Sequence, residues 1–194
     1  MDVSVLLEPK IDMERLAEVL DGLGHEGRVH ATRTWTKHRQ IEIYEAAKGN
    51  KLDLDFLVPS SVGTHVEVIH DGFNTLMMHN LFQKRFCRVE GEDYKVAGYN
   101  YQSLSMFSGP GYFVVREGEG EHEGELAIDY TKLPKSKPEG WPAIKGNDGG
   151  IAALVYGGMV DYLRKVSTHV SIGRAWKQGK PIDAWFALVR KDVS

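Results

Sequence analysis

The chain has 194 residues, of which 42% are hydrophobic and 26% are charged, and this composition excludes a disordered chain. Its formal net charge of -3 offers no basic surface to a polyanion, so we expect no nucleic-acid partner. The single cysteine excludes an intramolecular disulfide, and the lack of a secretion signal or a long apolar run predicts a cytoplasmic protein without membrane insertion.

The first quarter of the chain has the periodicity of helices. Asp12 can cap a helix over residues 13–23, where apolar residues recur every three or four positions. Glycines end this helix, a second segment begins near Glu26, and a third begins near Thr36. The pattern therefore predicts a helical N-terminal part.

From Val66 onward the chain has the pattern of β-strands. Runs of β-branched and aromatic residues are separated by Gly, Pro, Asn and Asp. Residues 132–150 are rich in Lys, Pro and Gly, which predicts a long loop held by Trp141, while residues 151–166 fit either a strand or a helix. Because most strands follow one another through short turns, we expect antiparallel neighbours.

This many strands cannot form a flat sheet without leaving exposed edges. Glycines within strand-like runs, such as Gly98 and Gly173, are typical of bends that curve a sheet. We therefore predict an α+β fold in which N-terminal helices pack on a curved antiparallel β-meander that closes into a barrel. In this prediction residues 1–194 form a single domain, with residues 1–58 as the helical part and residues 64–194 as the barrel.

Three segments near the C-terminus resemble the last strands of bacterial lipocalin-like, fatty-acid-binding-type barrels. They are residues 124–130, which end in Asp-Tyr, residues 160–166 and residues 170–175. In such barrels an Asp-x-Leu/Ile-Arg-x-Val/Ile stretch precedes a strand with the pattern apolar-x-apolar-Gly-Arg. The Gly-x-Trp signature that usually begins a lipocalin has no counterpart in this sequence. The resemblance implies a lipocalin-like barrel that binds small hydrophobic molecules.

Strand residues that combine aromatic and polar groups are the candidates for ligand binding. Alternate residues of each strand face the interior of a closed barrel, and an amphipathic ligand needs apolar walls with a few polar groups. The predicted ligand-binding residues are Tyr99, Tyr101, Tyr112, Tyr130, Arg174 and Trp176.

Arg174 has two interpretations. Its planar guanidinium can bind a ligand carboxylate through two hydrogen bonds. Alternatively, Arg174 forms a structural ion pair with Asp129 or Asp161. Because an inward charge is costly unless it is paired, the ion pair is slightly favoured.

The sequence contains no complete catalytic or metal-binding motif. Its eight histidines include no His-x-x-x-His and no His-x-His pair, and a single cysteine cannot build a cysteine-based zinc site. Cys87 is more typical of a small core residue than of a nucleophile, and no serine lies in a Gly-x-Ser-x-Gly turn. We therefore expect no catalytic residue, no metal and no cofactor.

These observations favour a protein that binds a small hydrophobic or amphipathic molecule inside the barrel. The ligand is expected to be lipid-like, with a carboxylate as one candidate polar group. Two other functions stay open. One is a small isomerase or hydrolase that uses Tyr, His and Asp in the same cavity as acid-base groups, and the other is a filled barrel that serves as an interaction scaffold. A homodimer also stays open.

Overall fold

The structure is a computed structural model that describes residues 11–75, 81–101 and 109–193. Within these ranges helices come first and strands follow, as the sequence predicts, except that one short α-helix lies between two of the strands. The helices are α1 (Met13–Asp21), α2 (His25–Arg33), α3 (Lys37–Ala46), α4 (Leu54–Leu57) and α5 (Gly150–Tyr156). The strands are β1 (Val68–Asn74), β2 (Leu81–Arg88), β3 (Val96–Tyr101), β4 (Tyr112–Glu117), β5 (Leu126–Asp129), β6 (Met159–Lys165), β7 (Val170–Lys177) and β8 (Lys180–Arg190).

The strands form a closed antiparallel barrel. Each strand pairs with the next one along the chain, and β8 pairs with β1, where His70 lies opposite Arg190 and Asn74 lies opposite Phe186. Closure removes the exposed edges that an open sheet of this size would have. The predicted α+β fold with a closed meander is therefore confirmed. The ambiguous stretch 151–166 contributes both a helix, α5, and a strand, β6.

Large aromatic rings fill much of the barrel interior, and inward-facing glycines make room for them. A Cβ atom on Gly98 would lie 2.7 Å from the ring of Phe113, and one on Gly173 would lie 2.3 Å from the ring of Phe186. Neither position tolerates a side chain without displacing a packed ring. The glycines that the sequence marks as bends thus also set the size of the interior.

The short helix α4 closes one end of the barrel. Leu57 is fully buried there, and inward-facing residues of the first and last strands bind the backbone of the helix. Arg190 Nη1 donates to the carbonyl oxygens of Asp55 and Phe56 at 3.2 and 2.8 Å, and His70 Nε2 lies 2.9 Å from the carbonyl oxygen of Leu57. Because the last carbonyls of a helix have no partner within it, these contacts attach α4 to the barrel.

Helices α2 and α3 pack on the outer face of β7 and β8, and α1 packs beside α2 and contributes to the same apolar cluster. Leu20, Trp35 and Ile43 are buried against outward-facing residues of these strands, including Ile172 and Ala187. Among the described residues, no helix combines the length and the apolar character that a membrane span requires. The helices therefore cover one side of the barrel and leave its two ends to α4 and α5.

Candidate ligand-binding site

A cavity of about 170 Å³ lies inside the barrel at the end next to α5. Its walls are mostly apolar and include Phe82, Val155, Met159, Ile182 and Phe186. The rim residues Met159 and Ile182 are partly exposed, whereas the residues at the bottom are buried. Below this bottom, toward α4, the interior is packed with apolar side chains. The barrel is therefore filled over much of its length and hollow at one end.

Four polar side chains form the bottom of the cavity, and we call them the polar floor: Lys84, Asn100, Tyr130 and Asp161. Each is 5% exposed or less. Lys84 Nζ lies 3.0 Å from Asp161 Oδ2 and 3.1 Å from Asn100 Oδ1, and it also donates to the Tyr130 hydroxyl. An ammonium group has three donors, so these contacts satisfy all of them.

The remaining hydrogen bonds of the polar floor connect Tyr130 with its neighbours. Asn100 Nδ2 donates to Tyr130 Oη at 2.9 Å, and Tyr130 Oη lies 3.3 Å from both Asn100 Oδ1 and Asp161 Oδ2. The hydrogen bonds that Asp161 accepts from described side chains fall on Oδ2. Its second carboxylate oxygen, Oδ1, therefore retains capacity for a donor group of a bound molecule.

The electrostatics of the polar floor centre on Lys84. Burial lowers the pKa of the Lys84 amine, while the Asp161 carboxylate opposes this shift. Its Nζ also lies 5.0 to 5.5 Å from the ring centroids of Phe82, Phe113, Tyr130 and Phe186, and aromatic faces attract a cation. Burial, helped by the charge of Asp161, raises the pKa of the Tyr130 hydroxyl well above its usual value. The ion pair leaves the polar floor without net formal charge.

Three of the predicted tyrosines lie outside the barrel wall. Tyr99 and Tyr112 are buried beneath the 132–150 loop, where both rings contact Trp141 at centroid distances of 4.7 and 6.4 Å. Tyr101 is 48% exposed and has the guanidinium of Arg85 over its ring. None of the three lines the cavity, whereas Tyr130 belongs to the polar floor.

Arg174 and Trp176 also face outward from β7. The guanidinium of Arg174 lies 4.8 Å from the ring of Trp185, and Trp176 packs edge-on against Tyr162. Neither acid that was considered as a partner of Arg174 lies beside it. Asp129 pairs with Arg116 at 3.1 Å, and Asp161 pairs with Lys84. The structure thus brings Tyr130 and Asp161 together and separates them from the other predicted site residues.

Sequence reasoning missed Lys84 and Asn100. The segment from Phe82 to Phe86 reads Phe-Gln-Lys-Arg-Phe, so the lysine lies two positions from each phenylalanine and shares their face of the strand. A lysine flanked in this way is the signal that could have identified an inward charge. Asn100 lies between Tyr99 and Tyr101 in β3, so choosing these two tyrosines for the interior places Asn100 on the opposite face of the strand.

Comparisons with known proteins do not assign this site. The chain matches no protein-family model, no curated protein and no solved structure. Among the described residues, no three His, Cys, Asp or Glu side chains are grouped so that they could hold a metal ion. The class of protein is therefore defined by the fold and the cavity: a closed eight-stranded antiparallel barrel with N-terminal helices and an end cavity on a buried ion pair.

Proposed function

We propose that this protein binds a small, neutral, amphipathic molecule in the end cavity. The apolar body of the ligand packs against Phe82, Ile182 and Phe186, and its polar group meets the polar floor. The observation that carries this proposal is the buried Lys84–Asp161 pair at the bottom of an otherwise apolar cavity. Replacing a buried ion pair by apolar residues is often neutral or stabilising, so the pair is better explained by a role in recognition than by stability.

The size of the cavity indicates the size of the ligand. Pockets for drug-sized molecules have about 300 to 1,000 Å³, whereas an apolar cavity of about 150 Å³ can hold benzene. At about 170 Å³, this cavity suits a substituted benzene ring or a short aliphatic chain. The ligand that we propose is therefore smaller than the lipid-like molecule that the sequence favoured.

The charge of the polar floor indicates the charge of the ligand. Asp161 already neutralises Lys84, so a carboxylate that enters the cavity is repelled by Asp161 and finds the ammonium group occupied. A hydroxyl or carbonyl group is not repelled. A hydroxyl can donate to Asp161 Oδ1, and either group can accept a hydrogen bond from the polar floor. The geometry thus favours a neutral polar group over a carboxylate.

Benzyl alcohol and benzoate are matched probes of this proposal, because they share a ring and differ in charge. In an NMR titration of the ¹⁵N-labelled protein, benzyl alcohol is expected to shift the amide resonances of Lys84 and Asp161 in a saturable manner. Benzoate is expected to bind at least about tenfold more weakly, which corresponds to about 1.4 kcal/mol of binding free energy.

Two variants test whether benzyl alcohol binds in the end cavity. Ala184→Phe adds a ring to the cavity wall and should abolish the benzyl alcohol shifts, whereas Lys180→Phe adds the same ring at an exposed position of β8 and should leave them unchanged. The proposal is wrong if the wild-type protein shows no saturable shift, or if Ala184→Phe binds benzyl alcohol as well as the wild type does. A protein that binds neither probe would fit the interaction scaffold instead.

A further inference from the structure

We propose that Lys84 is a nucleophile that forms a reversible imine with a small apolar aldehyde or ketone in the end cavity. This inference rests on the proposed function, because it concerns the same cavity and specifies the polar group of the ligand as a carbonyl. Its basis is the combination of an amine, a carboxylate, a phenol and an amide at the bottom of one apolar cavity.

Lys84 differs from the other lysines of the described residues because it alone is buried. An amine attacks a carbonyl group only in its neutral form, and burial lowers the pKa of Lys84, which increases the neutral fraction. The neighbouring Asp161 Oδ2, at 3.0 Å, can accept the proton that the ammonium group must lose. The proton therefore stays within the pair when the amine becomes nucleophilic.

The reaction is balanced with the groups that line the cavity. After Asp161 takes a proton from Lys84, the lone pair of Nζ attacks the carbonyl carbon, the C–N bond forms and the C=O π bond breaks. A proton then moves from nitrogen to the new alkoxide oxygen, which gives a carbinolamine. Asp161 returns its proton to the departing hydroxyl group, the C–O bond breaks, water leaves and a protonated C=N bond remains beside the carboxylate. No oxidant or reductant is consumed.

Tyr130 and Asn100 position the groups for this proton transfer. The Tyr130 hydroxyl contacts Lys84 Nζ and lies 3.3 Å from Asp161 Oδ2, so it can pass a proton between nitrogen and oxygen. Asn100 Nδ2 donates to the same hydroxyl at 2.9 Å and fixes its orientation. The protonated imine keeps the positive charge of Lys84, so the rings that surround the ammonium group still face a cation.

Reductive trapping with benzaldehyde and sodium borohydride tests this inference. Borohydride converts an imine into a stable secondary amine, which peptide mass spectrometry locates. We expect one benzyl adduct on Lys84, formed about tenfold or more faster than adducts on exposed lysines such as Lys95, because the bound aldehyde is held beside the amine. Labelling spread over the exposed lysines with none on Lys84 would overturn the inference.

Three variants test whether loss of the adduct reflects lost reactivity of Lys84 and not loss of the folded structure. Lys84→Arg keeps a cation beside Asp161 and cannot form a reducible imine, so the adduct should disappear while the circular dichroism spectrum is retained. Ala184→Phe keeps Lys84 and blocks the cavity, so it should also prevent the adduct. Tyr130→Phe removes the hydroxyl and should slow labelling at Lys84 by about tenfold or more, as removal of a general acid-base group does. An unchanged rate in Ala184→Phe would contradict the inference.

The benzyl alcohol titration distinguishes the two proposals. If benzyl alcohol binds in the cavity but benzaldehyde gives no Lys84 adduct, the imine inference is wrong and the binding function stands. If benzyl alcohol does not bind and no adduct forms, both are wrong. If benzaldehyde labels Lys84 and this labelling is blocked by Ala184→Phe, both are supported.

Discussion

Acid is expected to destabilise this protein through His70, which lies inside the barrel under α4. The imidazole is fully buried, its Nε2 is 2.9 Å from the carbonyl oxygen of Leu57, and its Nδ1 has no hydrogen-bond partner among the described residues. Burial lowers the pKa of His70 to about 3. The hydrogen bond to Leu57 opposes this shift, and the positive charge of Arg190 adds to it. The folded state therefore keeps this histidine neutral in mildly acidic solution.

The sign and the magnitude follow from the two pKa values. An unfolded histidine has a pKa of about 6.5, so between this value and about 3 the unfolded chain binds a proton that the folded protein does not. The contribution of His70 to the free energy of unfolding is therefore fully present above pH 6.5 and is lost as the pH falls. Between pH 7 and pH 4 the expected loss is about 3 kcal/mol.

Urea unfolding of the wild type and of His70→Gln at pH 7, 6, 5 and 4 measures this loss. Glutamine can donate a hydrogen bond to the carbonyl oxygen of Leu57 but does not titrate, so the wild type should lose about 3 kcal/mol more than the variant over this range. His38→Gln is the matched control, because the side chain of His38 is 84% exposed and should not produce this difference. Parallel pH profiles for the wild type and His70→Gln would refute the reasoning.

Three further predictions concern the interior and the barrel wall. Lys84→Met leaves Asp161 buried without its cation and should lower the free energy of unfolding by about 3 to 5 kcal/mol in urea titrations. The double variant Lys84→Met/Asp161→Leu should recover most of that loss. A Lys84→Met variant as stable as the wild type would contradict this prediction. Gly173→Ala places a Cβ atom 2.3 Å from the ring of Phe186 and 2.7 Å from Leu163, and it should cost about 1 to 3 kcal/mol. The control Gly24→Ala, whose Cβ atom meets nothing within 4 Å, should change stability by much less, and equal effects of the two variants would contradict this prediction. Cys87 is buried, and burial raises the pKa of its thiol to about 12. A thiol reagent such as dithionitrobenzoate should therefore label Cys87 only as fast as the protein unfolds. Rapid labelling of the folded protein would show instead that Cys87 is accessible.

Local patterns in the sequence were sufficient to predict the first three helices and the strands that follow them, but they did not identify α4 and left open whether residues 151–166 form a strand or a helix. Asp12 caps α1 by accepting hydrogen bonds from the backbone N–H groups of Glu14 and Arg15, as its position before an apolar stripe indicates. Trp141 holds the 132–150 loop by packing on Tyr99 and Tyr112. These features depend on residues near one another in the chain or on large apolar surfaces that must be buried.

The orientation of the strands could not be predicted from the same patterns. In β3 and β7 both faces carry residues that suit an interior, so the sequence does not decide between Tyr99 and Asn100, or between Arg174 and Ala175. The structure turns Asn100 toward the cavity and Arg174 toward Trp185. The sequence was sufficient to select Tyr130 and Asp161 as site residues, but it did not identify Lys84 and Asn100 as their partners.

The sequence by itself determined that helices come first, that antiparallel strands follow, and that their number requires a closed sheet. Only the tertiary structure decided which face of each strand points inward, and so brought Lys84 from β2 beside Asp161 from β6, 77 positions along the chain. The physical reason is that closure fixes the pairing register of all strands together. As a result, the charged side chain of Lys84, which faces the interior from one strand, lies beside its partner Asp161 on another strand.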